Sequence, residues 1–288
     1  MKVVVLMGGR SSEREISLKT GEAILKALKE LGCEAIALDL EENLCERLRE
    51  IKPDKVFIAL HGPYGEDGRV QGLLDILGIP YVGSGVLGSA LAMDKDFTKK
   101  ILRFHQIPTP DWVAVRRGEE VSWDRFPAVV KPADQGSSIG LFVVNDRKEL
   151  ETAIEKLWSI TQKVLVEEFI KGRDITVAIL KEEALPPIEI KPKKGIYDYE
   201  SKYTKGMSQY EFLEDETLAR ELQELALRSH RALELKDLSR VDFRVSNEGK
   251  PFVLEINTIP GMTELSLFPM ACRKKGIDFN RMISMLIF

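Results

Sequence analysis

The first sixty residues alternate between short apolar runs and amphipathic segments. Lys2–Met7, Glu34–Leu38 and Lys55–Leu60 have the apolar composition of buried strands. Between them, apolar residues recur at helical spacing over Ala23–Leu31, and Asn43–Ile51 predicts a second helix. Strands that alternate with helices in this way predict a parallel sheet with crossover helices.

Two polar loops follow the first and third predicted strands, GGRSSEREIS and HGPYGEDG. Ligands of a parallel sheet bind beyond the carboxyl ends of its strands, so both loops are candidates for a binding site. The pair Gly8-Gly9 lacks the third spaced glycine of a dinucleotide fingerprint, so that signal is weak. Glu13 and His61 are the side chains of interest here. Taken alone, Glu13 is a charge favoured at a helix N-terminus and His61 is an ordinary loop histidine.

The middle of the chain combines a lysine-rich helix with a glycine-rich turn. Val86–His105 predicts one long helix that contains MDKDFTKKIL. Phe126–Lys131 predicts a strand that ends in a lysine, and QGSSIG at Gln135–Gly140 follows at once. Such a turn can close its backbone N–H groups over phosphates, although the context of a Walker P-loop is missing. Taken alone, an ordinary hairpin explains the stretch equally well.

The next hundred residues contain one segment without a regular pattern. Asp174–Leu180 and Leu185–Ile190 predict strands, and Glu216–Leu235 predicts an amphipathic helix. Between them, Lys191–Glu211 has no consistent period and is rich in Lys, Tyr and Gly. A long loop of this kind in a compact domain is usually functional or disordered.

A hairpin is predicted at 240–257, RVDFRVSNEGKPFVLEIN. Polar and apolar residues alternate along its first half, which is typical of a strand with one polar face. In the second half, Leu254 and Ile256 are expected on one face, and Glu255 and Asn257 on the other. A two-residue turn would place Asp242 opposite Glu255 and Arg240 opposite Asn257.

Two carboxylates side by side on a sheet normally destabilise it. Together with the amide oxygen of Asn257, Asp242 and Glu255 form a set of hard oxygen donors that suits Mg²⁺. The alternative is a solvated polar face. The loop TIPGMT, which continues from Asn257 and ends in a hydroxyl group, makes a binding site the more specific interpretation.

The composition is that of a folded globular protein rather than of a disordered or membrane protein. Hydrophobic residues make up 44% of the 288 positions, and the net charge is −4. No apolar run has the length of a membrane span, and the N-terminus does not have the pattern of a signal peptide. The three cysteines are scattered without a CxxC pair, which indicates reduced thiols in a cytoplasmic protein. We therefore expect neither membrane nor nucleic acid as a partner.

The segments RVDF, LEINTIPGMT and SL resemble the ATP-grasp family and, within it, the D-alanine–D-alanine ligases. The resemblance extends over nearly the whole chain. It implies a mixed α/β protein with an α+β C-terminal half, in which a Rossmann-like parallel α/β domain precedes a two-subdomain ATP-grasp fold. The expected divisions are 1–85 for the substrate domain, 86–171 for the subdomain with the Gly/Ser phosphate loop, and 172–288 for the subdomain with the lid loop and the metal site.

The resemblance also implies roles for individual residues. The implied catalytic residues are Glu13, Ser137, Tyr203, Arg240, Gly261 and Ser266. The implied substrate-binding residues are His61, Lys202 and Leu267. The implied nucleotide-binding residues are Lys95, with Lys99 as a second candidate for its role, Lys131, Glu167, Phe169, Ile170 and Asp174. The implied metal ligands are Asp242, Glu255 and Asn257, which would hold two Mg²⁺ or Mn²⁺ ions.

The activity implied is the joining of two D-alanines with ATP to D-alanyl-D-alanine, through an acyl phosphate, for peptidoglycan synthesis, cell-wall biogenesis and cell shape. A homodimer is expected by the same resemblance. One alternative is another ATP-grasp ligase, such as one that forms a D-alanine–D-lactate ester. A second alternative is a nucleotide-binding protein without turnover, against which Arg240 and the intact metal ligands argue. Tyr203 favours the peptide over the ester, because a phenol is neutral near pH 7 and does not repel an ammonium group.

Overall fold

The computed structural model describes residues 1–41, 43–137, 139–192, 207–263 and 266–288. Lys202 and Tyr203 of the predicted lid lie outside the described residues.

The first sheet is parallel and both of its faces are covered by helices. Its strands are β1 (Lys2–Met7), β2 (Glu34–Asp39), β3 (Lys55–Ile58) and β4 (Tyr81–Val82), in the order β2-β1-β3-β4. The helices between them are α1 (Arg14–Glu30), α2 (Leu44–Ile51) and α3 (Arg69–Leu77). Val3 and Val5 pack with α1 on one face, whereas Val4 and Leu6 pack with α2 and α3 on the other. Burial on both faces explains why β1 reads as a continuous apolar run, and the predicted parallel α/β arrangement is confirmed.

The prediction of one long helix at Val86–His105 is wrong, because the structure has two helices there. They are α4 (Val86–Met93) and α5 (Lys95–Phe104), separated by Asp94 in an extended conformation. The Asp94 carboxylate accepts hydrogen bonds from the N–H groups of Asp96 and Phe97, which is the geometry of an N-cap. The apolar spacing continues across the break, so periodicity alone predicted one helix.

The second sheet is antiparallel, with the order β5-β8-β6-β7. Its strands are β5 (Trp112–Arg116), β6 (Ala128–Pro132), β7 (Phe142–Val144) and β8 (Lys163–Glu168). Helix α6 (Arg147–Leu157) packs Leu150, Ile154 and Leu157 against one face.

The third sheet has the order β12-β11-β9-β13-β14, with β10 paired to β9. Its strands are β9 (Gly172–Leu180), β10 (Glu183–Ala184), β11 (Ile188–Pro192), β12 (Ser208–Phe212), β13 (Leu238–Ser246) and β14 (Pro251–Asn257). Three further helices are α7 (Glu216–Ala232), α8 (Leu267–Lys274) and α9 (Phe279–Ile287). Helix α7 covers one face together with α4 and α5, while α8 and α9 lie between the other face and the first sheet. The C-terminal helices therefore join the first and third sheets through one apolar core, and the boundaries at residues 85 and 171 stay a prediction.

Part of the segment predicted as an irregular loop, Lys191–Glu211, is regular at its ends. Lys191 and Pro192 close β11, and β12 pairs antiparallel to β11 with Tyr210 beside Ile190. Tyr210 and Phe212 pack against the core that joins the first and third sheets, whereas Glu211 is exposed. This short alternation is typical of a strand, but the polar composition of the whole segment obscured it.

The hairpin of β13 and β14 has the predicted residue pairs, but its turn is longer than predicted and a β-bulge restores the register. Arg240 pairs with Asn257 and Asp242 with Glu255, as expected. The turn has three residues rather than two, since the N–H of Ser246 donates to the carbonyl of Lys250 at 2.8 Å. The register then shifts between Asp242 and Phe243, so that one extra residue, Leu254, forms a β-bulge.

The bulge overturns the face assignment made for β14. Val253 and Ile256 both lie in the core, although strict alternation placed them on opposite faces. Leu254 and Glu255 both line a cleft on the other side. One inserted residue reverses the alternation beyond it, because the side-chain period of a strand is two residues.

Gly172 marks the tightest approach of backbone in the third sheet. A Cβ atom at this position would lie 1.9 Å from the carbonyl oxygen of Val245. We expect Gly172→Ala to lower the free energy of unfolding by at least about 2 kcal/mol, since β9 and β13 would have to separate. In the control Gly72→Ala, the nearest heavy atom outside the helix backbone is 3.7 Å from the new Cβ. That variant should be unchanged or up to about 1 kcal/mol more stable. Urea unfolding measures both, and equal effects would contradict the expectation.

Candidate active site

A cleft opens between the second and third sheets. Its apolar walls include Val129, Val143, Phe169 and Ile170. The charged residues that line it are Lys95, Lys131, Glu167, Glu168, Asp174, Asp242, Arg244 and Glu255. An apolar pocket with a few convergent polar groups is the usual form of a small-molecule site. All six residues predicted to bind nucleotide line this cleft, together with two of the three predicted metal ligands.

Lys131 and Glu167 form a close ion pair at the wall of the cleft. Nζ of Lys131 lies 2.5 Å from Oε1 of Glu167, and both side chains are almost fully buried. Burial alone would raise the pKa of Glu167, but the ammonium groups of Lys131 and Lys99 outweigh it and lower the pKa. Glu167 is therefore ionised.

Lys99, the second candidate for the role of Lys95, is not placed to contact a ligand. Its side chain has no exposed surface, and it does not line the cleft. Of these two lysines, Lys95 is the one that lines the cleft.

Lys95 begins helix α5 and points across the cleft to the third sheet. Its Nζ donates to the carbonyl of Gln135 at 2.7 Å and lies 3.4 Å from Oε2 of Glu255. Its backbone N–H donates to the carbonyl of Ala133, just beyond the end of β6. The N-cap at Asp94 thus fixes the position of Lys95 at the start of α5. The hydrogen bonds to Ala133 and Gln135 connect Lys95 to the glycine-rich turn.

Asp242 and Glu255 of the hairpin are each paired with a cation. Asp242 accepts a bidentate pair of hydrogen bonds from Arg240, at 2.9 Å from Nε and 2.8 Å from Nη2. It also accepts a 2.6 Å hydrogen bond from the hydroxyl of Thr176 on β9. Glu255 has Lys95 beside it. These cations offset the repulsion that two neighbouring carboxylates would otherwise cause.

Asp242, Glu255 and Asn257 fit a magnesium ion in donor type. Mg²⁺ is commonly held by one or two carboxylates together with substrate phosphates, so a dense acidic cluster is not required. The described part of the chain contains no group of three or more His, Cys, Asp and Glu side chains that could hold a metal. Asn257 is not part of the lining of the cleft, and its Oδ1 accepts a 2.9 Å hydrogen bond from the N–H of Ile259.

Asp174 and Arg244 form a further ion pair inside the cleft, with Nη1 of Arg244 2.7 Å from Oδ2 of Asp174. Nε of Arg244 also donates to the carbonyl of Ile170 at 2.9 Å, beside the ring of Phe169. Sequence reasoning missed Arg244 as a site residue. The signal was available, since Arg244 shares the polar face of β13 with Arg240 and Asp242.

A second group of residues lies where the loops after β1 and β3 meet the glycine-rich turn. The hydroxyl of Ser137 donates to Oε1 of Glu13, and Ser137 has a φ of 54°. Such backbone strain is typical of functional sites. Ser11 donates to the carbonyl of His61 at 2.7 Å, which ties the two loops together. The structure thus brings Glu13, His61 and Ser137 together as predicted.

Glu66, which sequence reasoning missed, belongs to the same group. Its Oε2 accepts a 2.6 Å hydrogen bond from the N–H of Gly62. Burial, and then the charge of Glu13, raise the pKa of Glu66 to about 8. Burial also lowers the pKa of His61, against the opposing effect of Glu13. Near neutral pH, Glu66 is therefore protonated and His61 is uncharged.

The loop after β14 completes the site. The N–H of Thr263 donates to the hydroxyl of Ser266 at 3.0 Å, and a Cβ on Gly261 would lie 3.1 Å from that hydroxyl. Ser266 precedes the first residue of helix α8, Leu267, whose side chain is buried in the core. Only the backbone of Leu267 is thus left to contact a substrate, and N–H groups at a helix N-terminus favour anions.

Two further observations bear on the expectations from composition. Cys33, Cys45 and Cys272 are free thiols. Within the described ranges, the helices are too short or too polar to span a bilayer.

Models of two consecutive domains match this chain. The "D-ala D-ala ligase N-terminus" matches residues 41–84, and the "D-ala D-ala ligase C-terminus" matches residues 99–288. The D-alanine–D-alanine ligase of Aquifex aeolicus is 60% identical, with 100% of both chains covered. That of Pelotomaculum thermopropionicum is 46% identical, with 100% of this chain and 96% of the relative covered.

Solved structures agree with these sequence matches. The D-alanine–D-alanine ligase of Bacillus anthracis complexed with ATP has a TM-score of 0.89 at 35% identity, covering 100% of this chain and 96% of that one. The ligase of Coxiella burnetii has a TM-score of 0.85 at 27% identity, covering 100% and 92%. With the whole length matched in sequence and in fold, the chain belongs to the D-alanine–D-alanine ligase family of enzymes.

Proposed function

We propose that the chain joins two D-alanine molecules to D-alanyl-D-alanine with ATP, through an acyl phosphate. One observation carries the proposal. A cleft lined by Lys95, Lys131, Asp242 and Glu255 lies next to a group that contains Glu13, Ser137 and His61. The first set suits a nucleotide with its metal, and the second suits a small zwitterion. The Bacillus anthracis relative was solved with ATP, which supports the assignment of the cleft.

The nucleotide would lie along the cleft between the two sheets. Phe169 and Ile170 offer apolar surface and backbone groups to the base, and Asp174 offers a carboxylate to the ribose hydroxyls. Lys95 and Lys131 supply fixed positive charge for the phosphates. The backbone of the turn at 135–137 would cover them.

Asp242, Glu255 and Asn257 would hold the two Mg²⁺ or Mn²⁺ ions. When bound, such ions neutralise charge that develops on the transferred phosphoryl group. Arg240 and Lys95 place positive charge beside these two acids, which offsets the repulsion between them.

The first D-alanine would bind with its ammonium group at Glu13. Because burial raises the pKa of Glu66 to about 8, Glu66 adds little negative charge beside Glu13 at pH 7, and Glu13 is left to face the ammonium group. His61 is neutral and adds no repulsion. The bond from Ser137 to Glu13 joins this subsite to the turn over the phosphates.

The chemistry has two steps. A carboxylate oxygen of the first D-alanine attacks the γ-phosphorus, and ADP leaves. The amine of the second D-alanine then attacks the acyl carbon, loses its proton, and displaces inorganic phosphate. Arg240 and the N–H of Gly261 would stabilise the oxyanion of the tetrahedral intermediate. Ser266 and the N–H of Leu267 would hold the second carboxylate.

The remaining expectations belong to the same proposal. They are a role in peptidoglycan synthesis, a cytoplasmic location and a homodimer. The ester-forming alternative depends on the lid residue Tyr203, whose neutral phenol favours an amine as the second substrate.

We expect the purified protein to release ADP and phosphate only when ATP, Mg²⁺ and D-alanine are all present. With equal D-alanine and D-lactate at pH 7, chromatography should show D-alanyl-D-alanine as the main product. ADP release that does not depend on an amino acid, or that occurs with L-alanine alone, would contradict the ligase assignment. Predominant ester would instead select the alternative ligase.

Glu255→Gln should reduce turnover by about 10–100-fold, because the metal would bind more weakly. The free energy of unfolding should change by less than about 1 kcal/mol, since the side chain is partly exposed and contributes little packing. Glu248→Gln, in the exposed turn of the same hairpin, is the control and should retain full activity. Unchanged turnover in the Glu255 variant would show that the metal binds elsewhere.

Glu66→Gln should reduce the dependence of the free energy of unfolding on pH. With a folded pKa of about 8 and an ordinary value of 4.5, Glu66 keeps its proton in the folded state while the unfolded chain loses it. Stability of the natural protein should therefore fall as pH rises from 4.5 to 8. Each unit by which the pKa of Glu66 in the folded protein exceeds its pKa in the unfolded chain corresponds to about 1.4 kcal/mol in the free energy of unfolding.

Urea unfolding at pH 5, 6.5 and 8 measures this slope. The slope should be smaller for Glu66→Gln than for the natural protein, whereas Glu120→Gln, at an exposed position, should leave it unchanged. Identical slopes in all three proteins would mean that Glu66 is ionised in the folded state.

A further inference from the structure

The ammonium group of Lys99 is buried where three segments of the chain meet. It lies 2.9 Å from Oε2 of Glu167, and it donates to Oγ1 of Thr109 at 2.8 Å and to the carbonyl of Pro110 at 3.1 Å. Thr109 and Pro110 accept hydrogen bonds from two of the three N–H donors, Glu167 lies at ion-pair distance, and the side chain of Lys99 has no exposed surface. Any influence of Lys99 on a ligand must therefore pass through another residue.

Glu167 is the residue through which Lys99 reaches the cleft. One carboxylate oxygen of Glu167 faces Lys99, and the other faces Lys131. Lys131 lines the cleft and Lys99 does not. Two ammonium groups around one carboxylate leave one net positive charge, and Lys131 and Glu167 are the two members of this trio that line the cleft.

The charge balance changes if Lys99 loses its ammonium group. Lys131 and Glu167 would then be a neutral pair, with little attraction left for an anion. Burial lowers the pKa of Lys99 to about 8, so the group is mostly protonated near pH 7. Burial therefore opposes this charge, and the ion pair with Glu167 offsets part of that cost.

The same ammonium group also joins the two walls of the cleft. Oγ1 of Thr109 donates to the carbonyl of Val253 on β14 at 2.8 Å, and the N–H of Val253 donates to the carbonyl of Pro108 at 2.8 Å. Val253 lies two residues before Glu255. Lys99 therefore connects the strand that carries Glu167 with the strand that carries the acid beside Lys95.

We propose that Lys99 is a positioning residue for the nucleotide, which offsets the charge of Glu167 so that the charge of Lys131 remains available to the phosphates. The proposal rests on the proposed function in one respect, that the cleft binds ATP. It adds a residue that touches no ligand and acts through its neighbours.

The binding of ATP and of adenosine is measured by calorimetry without D-alanine. Comparing the two ligands separates the effect of the charge of Lys99 from its effect on the shape of the cleft. In Lys99→Met, the Kd for ATP should rise at least tenfold, whereas the Kd for uncharged adenosine should change less than threefold. Lys99→Arg, which keeps the charge, should bind ATP within threefold of the natural protein. Lys100→Met, on the exposed side of the same helix, is the matched control and should leave ATP binding unchanged.

A further variant guards against loss of the fold. If Lys99→Met does not give a cooperative thermal transition, Lys99→Gln replaces it, since an amide can still donate to Thr109 or Pro110. The same tenfold loss for ATP alone is expected of it.

Two results would overturn the proposal. ATP binding equal to that of the natural protein would show that the charge of Lys99 is not used. An equal loss for ATP and adenosine would show that Lys99 only shapes the cleft. Failure of the natural protein to bind ATP would overturn the assignment of the cleft and this inference together, whereas unchanged variants of an ATP-binding protein overturn this inference alone.

Discussion

One extra residue in β14 decides where the acidic groups of the site point. The bulge at Leu254 compensates for the three-residue turn, so that Glu255 pairs with Asp242. It also directs Glu255 to the cleft while Val253 and Ile256 stay in the core. Without the bulge, strict alternation would place Glu255 on the same side as Val253, in an apolar core where an ionised carboxylate is costly. Bulges beside active sites commonly redirect a side chain in this way.

The charges of the cleft are arranged as pairs of opposite sign. Lys95 faces Glu255, Arg240 faces Asp242, and Arg244 faces Asp174. Each pair spares an acid the cost of burial without a partner. In the proposed function, phosphates would compete with the acids for the cations, and a metal ion would compete with the cations for the acids. A nucleotide and its metal would therefore fit the cleft better together than either would alone.

The substrate side of the site depends on contacts between distant segments. Glu13 follows β1, Glu66 lies in the loop after β3, and Ser137 belongs to the second sheet's turn. Thr20 on α1 lies 3.3 Å from the ring of His61 and 3.4 Å from the N–H of Met262, which brings the loop after β14 to the same place. The apolar core shared by the first and third sheets holds these loops in register, since α8 and α9 pack between the two sheets.

The sequence by itself determined the elements whose pattern is local. Continuous apolar runs predicted the parallel strands, and alternation predicted β13, because burial on two faces or on one leaves a direct trace in the residue order. The residues RVDF, LEINTIPGMT and SL indicated the family, and the resemblance along the rest of the chain indicated most of the charged residues that line the cleft. The tertiary structure decided what depends on partners far away in the chain. It split the helix at Asp94, inserted the bulge at Leu254 and placed Glu66 beside Glu13. It also buried Lys99 away from any ligand, whereas Lys95, four residues earlier on the same helix, faces the cleft. Residue type alone could not separate these two lysines, because a charge is retained in the interior only where other segments supply its partners.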